Sequence, residues 1–350
     1  MKCKITNKTI KPFMTFGKMP IANGFIKKSD FKKEFFFEME VGFSKDLSLF
    51  QLNEHPKPTS MFNKNYPFFT GSSLGMVKHF KDYADWVKKK YFKSANNIIE
   101  IGSNDGTFLK NFSSDKINNI GFEPSSNVAN VARKNGVKTI NEFFNFKNAS
   151  KLKKLKKNTD LICAANAICH VPNLKDLIKG IDFLLGPRGV FIFEEPYLGS
   201  MFKKTSYDQI YDEHIFMFSV SSVKKVFNLF NFDLVDVQPQ ITHGGSMRYV
   251  VGRKSFHKVK KNVTQSNIFV ARAANKGVSG FINNQGIEVA TEKFNLAIKE
   301  YIADDKKPMM YSISDGEVID RFEECLSEQT TDNGFEYHKA ALQMDIGDFM

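Results

Sequence analysis

At residues 97–106, NIIEIGSNDG, an apolar strand runs straight into a turn that carries two glycines, Gly102 and Gly106. Glycine lets a backbone fold tightly and approach a ligand with no Cβ in the way, so this is the opening of a strand–turn–helix unit. The rhythm then repeats. Residues 120–123 read as a strand, 127–135 as a helix ending at Gly136, 159–164 as a strand, 174–185 as a helix and 190–193 as a strand. A helix over 222–230 and extended pieces at 232–237 and 248–252 follow. Upstream, Met76, Phe80, Tyr83, Ala84 and Val87 recur at helical spacing within 74–92. Alternating strands and helices predict an α/β fold, Rossmann-like, with a mostly parallel sheet and helices on both faces.

Three regions are expected. Pro12, Pro20, Pro56, Pro58 and Pro67 interrupt short extended pieces, which marks 1–70 as a small N-terminal domain. Residues 71–255 hold the strand–helix alternation, and 256–350 read as a C-terminal region, mainly helical to about 307 and then acidic. From Asp315 to Met350 ten acidic residues face only Arg321 and Lys339, so this tail carries −8.

The 350 residues carry 50 Lys+Arg against 38 Asp+Glu, a net charge of +12. Only six of those cations are Arg, the residue that reads phosphates and bases bidentately. The excess therefore reads as a solvated lysine surface that helps to attract an anionic small substrate, with no nucleic-acid partner. No apolar run approaches the roughly 20 residues of a membrane span, so no membrane partner is expected. Four sparse cysteines, Cys3, Cys163, Cys169 and Cys325, suit a reducing compartment, and a cytoplasmic location is expected.

Glu123 ends the strand after the glycine turn, where a carboxylate can accept both hydroxyls of a ribose. That pairing serves dinucleotides and S-adenosylmethionine alike. A dinucleotide turn wants three glycines and no acid, whereas this one has two and Asp105, which would repel a phosphate. A cofactor with an amino group and a sulfonium tolerates both Glu100 and Asp105, so S-adenosylmethionine is the expected cofactor. Glu142, after the third strand position, would face its adenine.

A second constellation lies at 207–219, YDQIYDEHIFMFS, where Tyr211, Asp212, Glu213 and His214 crowd titratable groups against apolar ones. A histidine beside a carboxylate and an apolar wall makes a base with a pKa near neutral. His170 and His243 also stand at expected strand ends, where α/β sheets bind ligands. His55, His79, His257 and His338 have no such setting and read as surface residues. With no H-E-x-x-H and no paired CxxC, the spacing supports no catalytic metal.

Taken in order, EIGSNDGTFL, GFEPSS, AANAICHVPN, FEEPYLG, IYDEHIFMFS and THGGSMR resemble the sugar C-methyltransferases that alkylate C3 of a nucleotide-linked 4-keto-deoxysugar. The resemblance runs from Lys18 to about Lys307. It implies a class I methyltransferase domain between an N-terminal zinc-bearing domain and a C-terminal domain. It further implies that His214 is the base, that Tyr211 and Glu213 orient it or bind the enolate oxygen, and that His170 contacts the sugar. Glu100, Gly102, Asn104, Gly106, Glu123, Glu142 and Asn166 would hold the cofactor. Tyr66, Tyr197, His243, Gly244 and Arg248 would line the substrate side, although Phe68 stands where a second Tyr is usual. Two departures are plain. Cys3 remains of the zinc cysteines, with Thr6, Ser44 and Leu47 in the other places, so the N-terminal unit is expected either to fold without zinc, on the Phe35–Phe36–Phe37 stretch, or to be poorly ordered. The acidic tail stands where the family continues into a glycine-rich C-terminal half. Two other functions stay open: methyl transfer to another small acceptor, and a non-catalytic cofactor-binding partner subunit. The sequence leaves the oligomeric state undefined.

Overall fold

A computed structural model describes residues 1–91, 97–113, 117–204 and 206–263. The helical stretch expected up to 307 and the acidic tail, with Cys325 and His338, lie outside these residues. In chain order the strands are β1 (Pro12–Pro20), β2 (Phe36–Ser44), β3 (Leu49–Leu52), β4 (Asn97–Ile101), β5 (Asn118–Phe122) and β6 (Thr139–Ile140). β7 (Thr159–Ala165), β8 (Leu185–Pro196), β9 (Phe216–Met217), β10 (Phe232–Gln240) and β11 (Ser246–Arg253) follow.

Seven strands form one sheet in the order β10-β11-β8-β7-β4-β5-β6. The pairs β4–β5, β4–β7, β5–β6 and β7–β8 are parallel, and β11 runs antiparallel to both β8 and β10. The fold is the Rossmann-like class I arrangement, a mixed sheet flanked by helices. Strand alternation divides its core. Ile98 packs with Phe80, Tyr83, Ala84 and Val87 of the helix Leu74–Tyr91, whereas Ile99 joins Leu177, Ile178 and Ile181 of the helix Leu174–Leu184 and Val223 and Phe227 of the helix Val220–Asn228. The strand order reverses between β4 and β7, which opens a crevice at their carboxyl ends.

The helix expected after Gly106 is a short 3-10 turn, Leu109–Phe112. Asp105 closes the bend locally, its Oδ1 accepting the Thr107 N–H (3.2 Å) and hydroxyl (2.7 Å), and Phe108, Leu109 and Phe112 are already buried beyond it.

The N-terminal residues form a second sheet, β1-β2-β3-β9, whose last strand comes from the far side of the parallel sheet in sequence. Phe50 pairs with Met217 and Gln51 with Phe216. Phe37, Met39, Val41, Phe50 and Leu52 make its core with Met201 and Met217. Of the aromatic triplet only Phe37 is buried; Phe36 is exposed on the opposite face, as strand alternation dictates, and Phe35, which precedes the strand, is exposed as well. No helix among the described residues is long and apolar enough to cross a membrane.

Candidate active site

A cavity of about 1930 Å³ opens at the carboxyl ends of β4, β5 and β7. Glu100, Gly102, Asn104, Glu123 and Asn166 line it on the sheet side, and Tyr66, His170, Tyr211, Glu213, His214 and His243 line it elsewhere. Both constellations read from the sequence therefore face one space.

Gly102 has φ +69°, and a Cβ there would lie 2.6 Å from the Ala167 Cβ, so only glycine fits. Gly106 (φ +81°) does not line the cavity; its missing Cβ makes room for Val137 at 2.8 Å. The Glu123 carboxylate accepts the Asn104 N–H (3.0 Å) and the Ser125 N–H (2.8 Å), which fixes its orientation and leaves lone pairs for a ligand. Asn104 and Asp105 staple the turn to the N-terminal unit. Thr70 N–H donates to Asn104 Oδ1 (2.9 Å) and Gly71 N–H donates to Asp105 Oδ2 (2.6 Å). Asp105 thus has a structural use in the turn.

Glu100 lines the cavity while buried, and its Oε2 has no hydrogen-bond partner. Burial, with Asp105 and Glu123 nearby, pushes its carboxyl well above the usual range. An orphaned buried carboxyl group beside a glycine cradle is an acceptor waiting for a cationic ligand, and it fits the ammonium or sulfonium of S-adenosylmethionine.

On the acid–base side, His214 Nδ1 lies 2.8 Å from the Gln209 carbonyl and His170 Nδ1 lies 2.8 Å from the Glu213 carbonyl. A carbonyl only accepts, so both Nδ1 atoms carry the proton and both Nε2 atoms keep a lone pair. Burial, with His170 near, holds the His214 pKa well below the ordinary value, so the ring is neutral. The Tyr211 ring packs 4.2 Å from the His214 ring, centroid to centroid. Burial, with Glu213 close by, raises the phenols of Tyr66 and Tyr211 well above 10, so both stay protonated donors. Burial lifts Glu213 to about 7 and, with Glu213 beside it, Asp212 to about 7.

Besides Gly106, four expected residues lie outside the cavity lining: Glu142, Tyr197, Gly244 and Arg248. Glu142 is exposed and accepts from Asn148 Nδ2 (3.5 Å), while Phe143, Phe144 and Asn145 turn inward. Tyr197 is buried against Gly199, which pushes its phenol up to about 12. Gly244 (φ +70°) shapes the turn that presents His243, whose Nε2 accepts from Asn166 Nδ2 at 2.7 Å. Arg248 is buried in an ion pair with Glu194, and its guanidinium lies 4.0 Å over the Tyr83 ring and 4.7 Å over Trp86. Nor is His79 a free surface residue, since its Nε2 meets Glu194 at 2.6 Å. His55 and His257 are half-buried.

Other contacts escape sequence reading. Asn23 Nδ2 donates to Glu213 Oε1 (2.6 Å) and Ala22 N–H donates to Asp212 Oδ1 (3.2 Å), across 190 residues. Glu195 Oε1 collects the N–H groups of Ala167 (3.1 Å), Ile168 (2.6 Å) and Cys169 (3.3 Å), which fixes the loop that carries His170. The only available signal was a pair of acids, Glu194–Glu195, ending the apolar strand β8. Cys169, His170 and His214 bring three donor atoms within 4.8 Å of one another. Burial and the nearby Glu195 push the Cys169 thiol well above its ordinary value.

Residues 77–237 match the family model of a methyltransferase domain. The chain is an S-adenosylmethionine-dependent methyltransferase. Over 292 residues, 83% of its length and 69% of the other's, this methyltransferase is 25% identical to the C-methyltransferase NovU of Streptomyces niveus. It is also similar to the solved PH0226 protein of Pyrococcus horikoshii OT3 (TM-score 0.44, 17% identity, 54% of this chain and 97% of that one). A further similar structure is the magnesium protoporphyrin IX methyltransferase of Synechocystis PCC 6803 with bound SAH (TM-score 0.41, 11% identity, 52% and 84%).

Residues 3–62 of the methyltransferase match the family model of a putative zinc binding domain. The side chains do not fit that ion. Cys3 Sγ accepts the Thr6 N–H (3.5 Å), Ser44 is buried beside it, and Cys3 packs in one apolar cluster with Ile5, Leu47 and Leu49. One sulfur, two hydroxyls and a leucine do not make a four-ligand zinc site.

Proposed function

We propose that this methyltransferase alkylates carbon, at C3 of a nucleotide-linked 4-keto-deoxysugar, with His214 as the base. The observation that carries this reading is the neutral imidazole of His214 in the same cavity as Gly102, Glu123 and the orphaned Glu100. Carbon is a poor nucleophile until a proton leaves it, so a carbon methyltransferase needs a base, and the cavity holds one with its lone pair free. At about 1930 Å³ it also exceeds the 300–1,000 Å³ common for one ligand, as a cofactor and an acceptor together require.

The C4 ketone acidifies the hydrogen on C3. His214 Nε2 takes that proton while Nδ1–H stays bonded to the Gln209 carbonyl, which orients the ring and spreads the charge it gains. The electron pair moves onto the ketone oxygen as an enolate, and the protonated phenols of Tyr211 and Tyr66 donate to it. His170, held by the Glu213 carbonyl, packs 5.3 Å from the His214 ring and limits the approach of the sugar. S-adenosylmethionine, when bound, supplies an electrophilic methyl group for C3. Glu100, Glu123 and Asn166 would hold it, and the paired N-terminal and central units keep water from the enolate.

The test is transfer of a labelled methyl group from S-adenosylmethionine to a panel of nucleotide-linked 4-ketosugars, with the product read by NMR. Label on C3 is expected. Label on oxygen, or no transfer to any such sugar while the cofactor binds, contradicts the proposal.

A further inference from the structure

The cavity lining is unbalanced in charge. Glu100, Glu123, Asp176, Asp208 and Glu213 contribute carboxyl groups, and the only Lys or Arg side chains among the described lining residues are Lys27 and Lys28. Both are exposed, and neither ammonium has an ion-pair or hydrogen-bond partner among the described residues. The neighbouring acids have not drawn them into pairs, so both charges remain free for a ligand. Phe25, 49% exposed, and Phe31 line the same wall on either side of the two lysines.

The position of this wall is fixed. Asn23 and Ala22, four and five residues before Lys27, are tied to Glu213 and Asp212 at 2.6 and 3.2 Å. Four residues of extended chain span at most about 14 Å, so one ligand can reach both the lysines and the acid–base residues. An anion entering a cavity lined by five carboxyl groups needs cations where its own charge comes to rest. Two adjacent lysines match two adjacent phosphoryl groups, and an aromatic face beside them suits a nucleobase, which stacks without hydrogen-bond demands.

We propose that Lys27 and Lys28 form an anion subsite that grips the diphosphate of the nucleotide-linked acceptor, with Phe25 beside its base. This rests on the acceptor class proposed above. The subsite acts on binding alone, because neither lysine belongs to the acid–base set.

The test uses the full chain and two probes, inorganic pyrophosphate and UDP, titrated calorimetrically beside S-adenosylmethionine. Replacing both lysines, K27Q/K28Q, is expected to weaken pyrophosphate and UDP at least tenfold, and K27E/K28E to abolish both. S-adenosylmethionine affinity should hold within twofold, which also reports that the variants are folded. In turnover, KM for the acceptor should rise by the same factor with kcat little changed. Equal pyrophosphate affinity in wild type and K27Q/K28Q overturns the subsite. If methyl transfer to ketosugars proceeds and KM does not move, the subsite falls while the proposed function stands. If no ketosugar is methylated but pyrophosphate binding still depends on the two lysines, the acceptor reading falls and the anion subsite stands.

Discussion

The Asn23 amide reaches Glu213 from the N-terminal unit, and its hydrogen bond is what draws the Glu213 carboxyl back down toward about 7 against the upward push of burial. Replacing Asn23 by Ala removes a donor to the ionised form, so the Glu213 titration should move above its wild-type position, and N23D should move it further. Carboxyl NMR titration reads this directly, and an unmoved midpoint would contradict the role. Tyr211→Phe removes one phenol donor, and kcat should fall about 10²–10³-fold with cofactor affinity kept, as for loss of one oxyanion donor. At this scale the sequence was informative where chemistry was contiguous. Tyr211, Glu213 and His214 stand within four residues, so their meeting needed no knowledge of the fold. Arg248 misled because the face to which a β11 side chain points depends on register, and its face meets Tyr83 and Trp86. Asn23 and Glu195 were hidden because their partners arise from folding, 190 and 28 residues away.

Turns and strand ends position everything at the level of elements. Gly102→Ala forces an L-residue to φ +69°, costing about 1–2 kcal/mol, and drives a Cβ to 2.6 Å from Ala167. The loop carrying Asn166 and His170 must shift, so the variant should lose the thermal stabilisation that S-adenosylmethionine gives the wild type. A thermal-shift titration checks this, and wild-type stabilisation in the variant would contradict it. The strands and helices of the parallel sheet followed their apolar periodicity closely. β4 falls on 97–101 and the helix Leu174–Leu184 within one residue of its expected end. β8 runs longer than its apolar run, from Leu185 to Pro196, because Leu185 already pairs with Thr159 of β7 and the pairing with β11 continues to Pro196. The strand β9 was invisible, because two residues of an apolar stretch pair with β3 far upstream and nothing local marks them.

Across the whole molecule, burial of Asp212 and Glu213 couples stability to pH. Both carboxyls are raised to about 7, so between roughly pH 4.5 and 7 the unfolded chain has shed protons that the folded one keeps. At this pair the folded state binds more protons, so its contribution to stability falls as pH rises through this window, by up to about 1.4 kcal/mol per pH unit for each carboxyl. The rings of His170, His214 and His243, whose pKa values burial lowers, act in the opposite direction, so the pair is read by comparison: across pH 4.5–7.5 the denaturant-unfolding slope of the wild type should be more negative than that of Asp212→Asn. A wild-type slope no more negative than that of the variant would contradict the burial of the pair. The packing of Cys3 with Leu47 and Leu49 likewise predicts that a strong chelator leaves the melting temperature unchanged, whereas a drop of several degrees would indicate a structural ion.

The base assignment is tested most directly by hydrogen exchange at the acceptor carbon, uncoupled from methyl transfer. With S-adenosylhomocysteine bound in deuterated buffer, the wild type should wash deuterium into C3 of the ketosugar. His214→Ala should exchange at least 10²-fold more slowly while binding both ligands. Exchange at the wild-type rate in that variant would show that another group removes the proton.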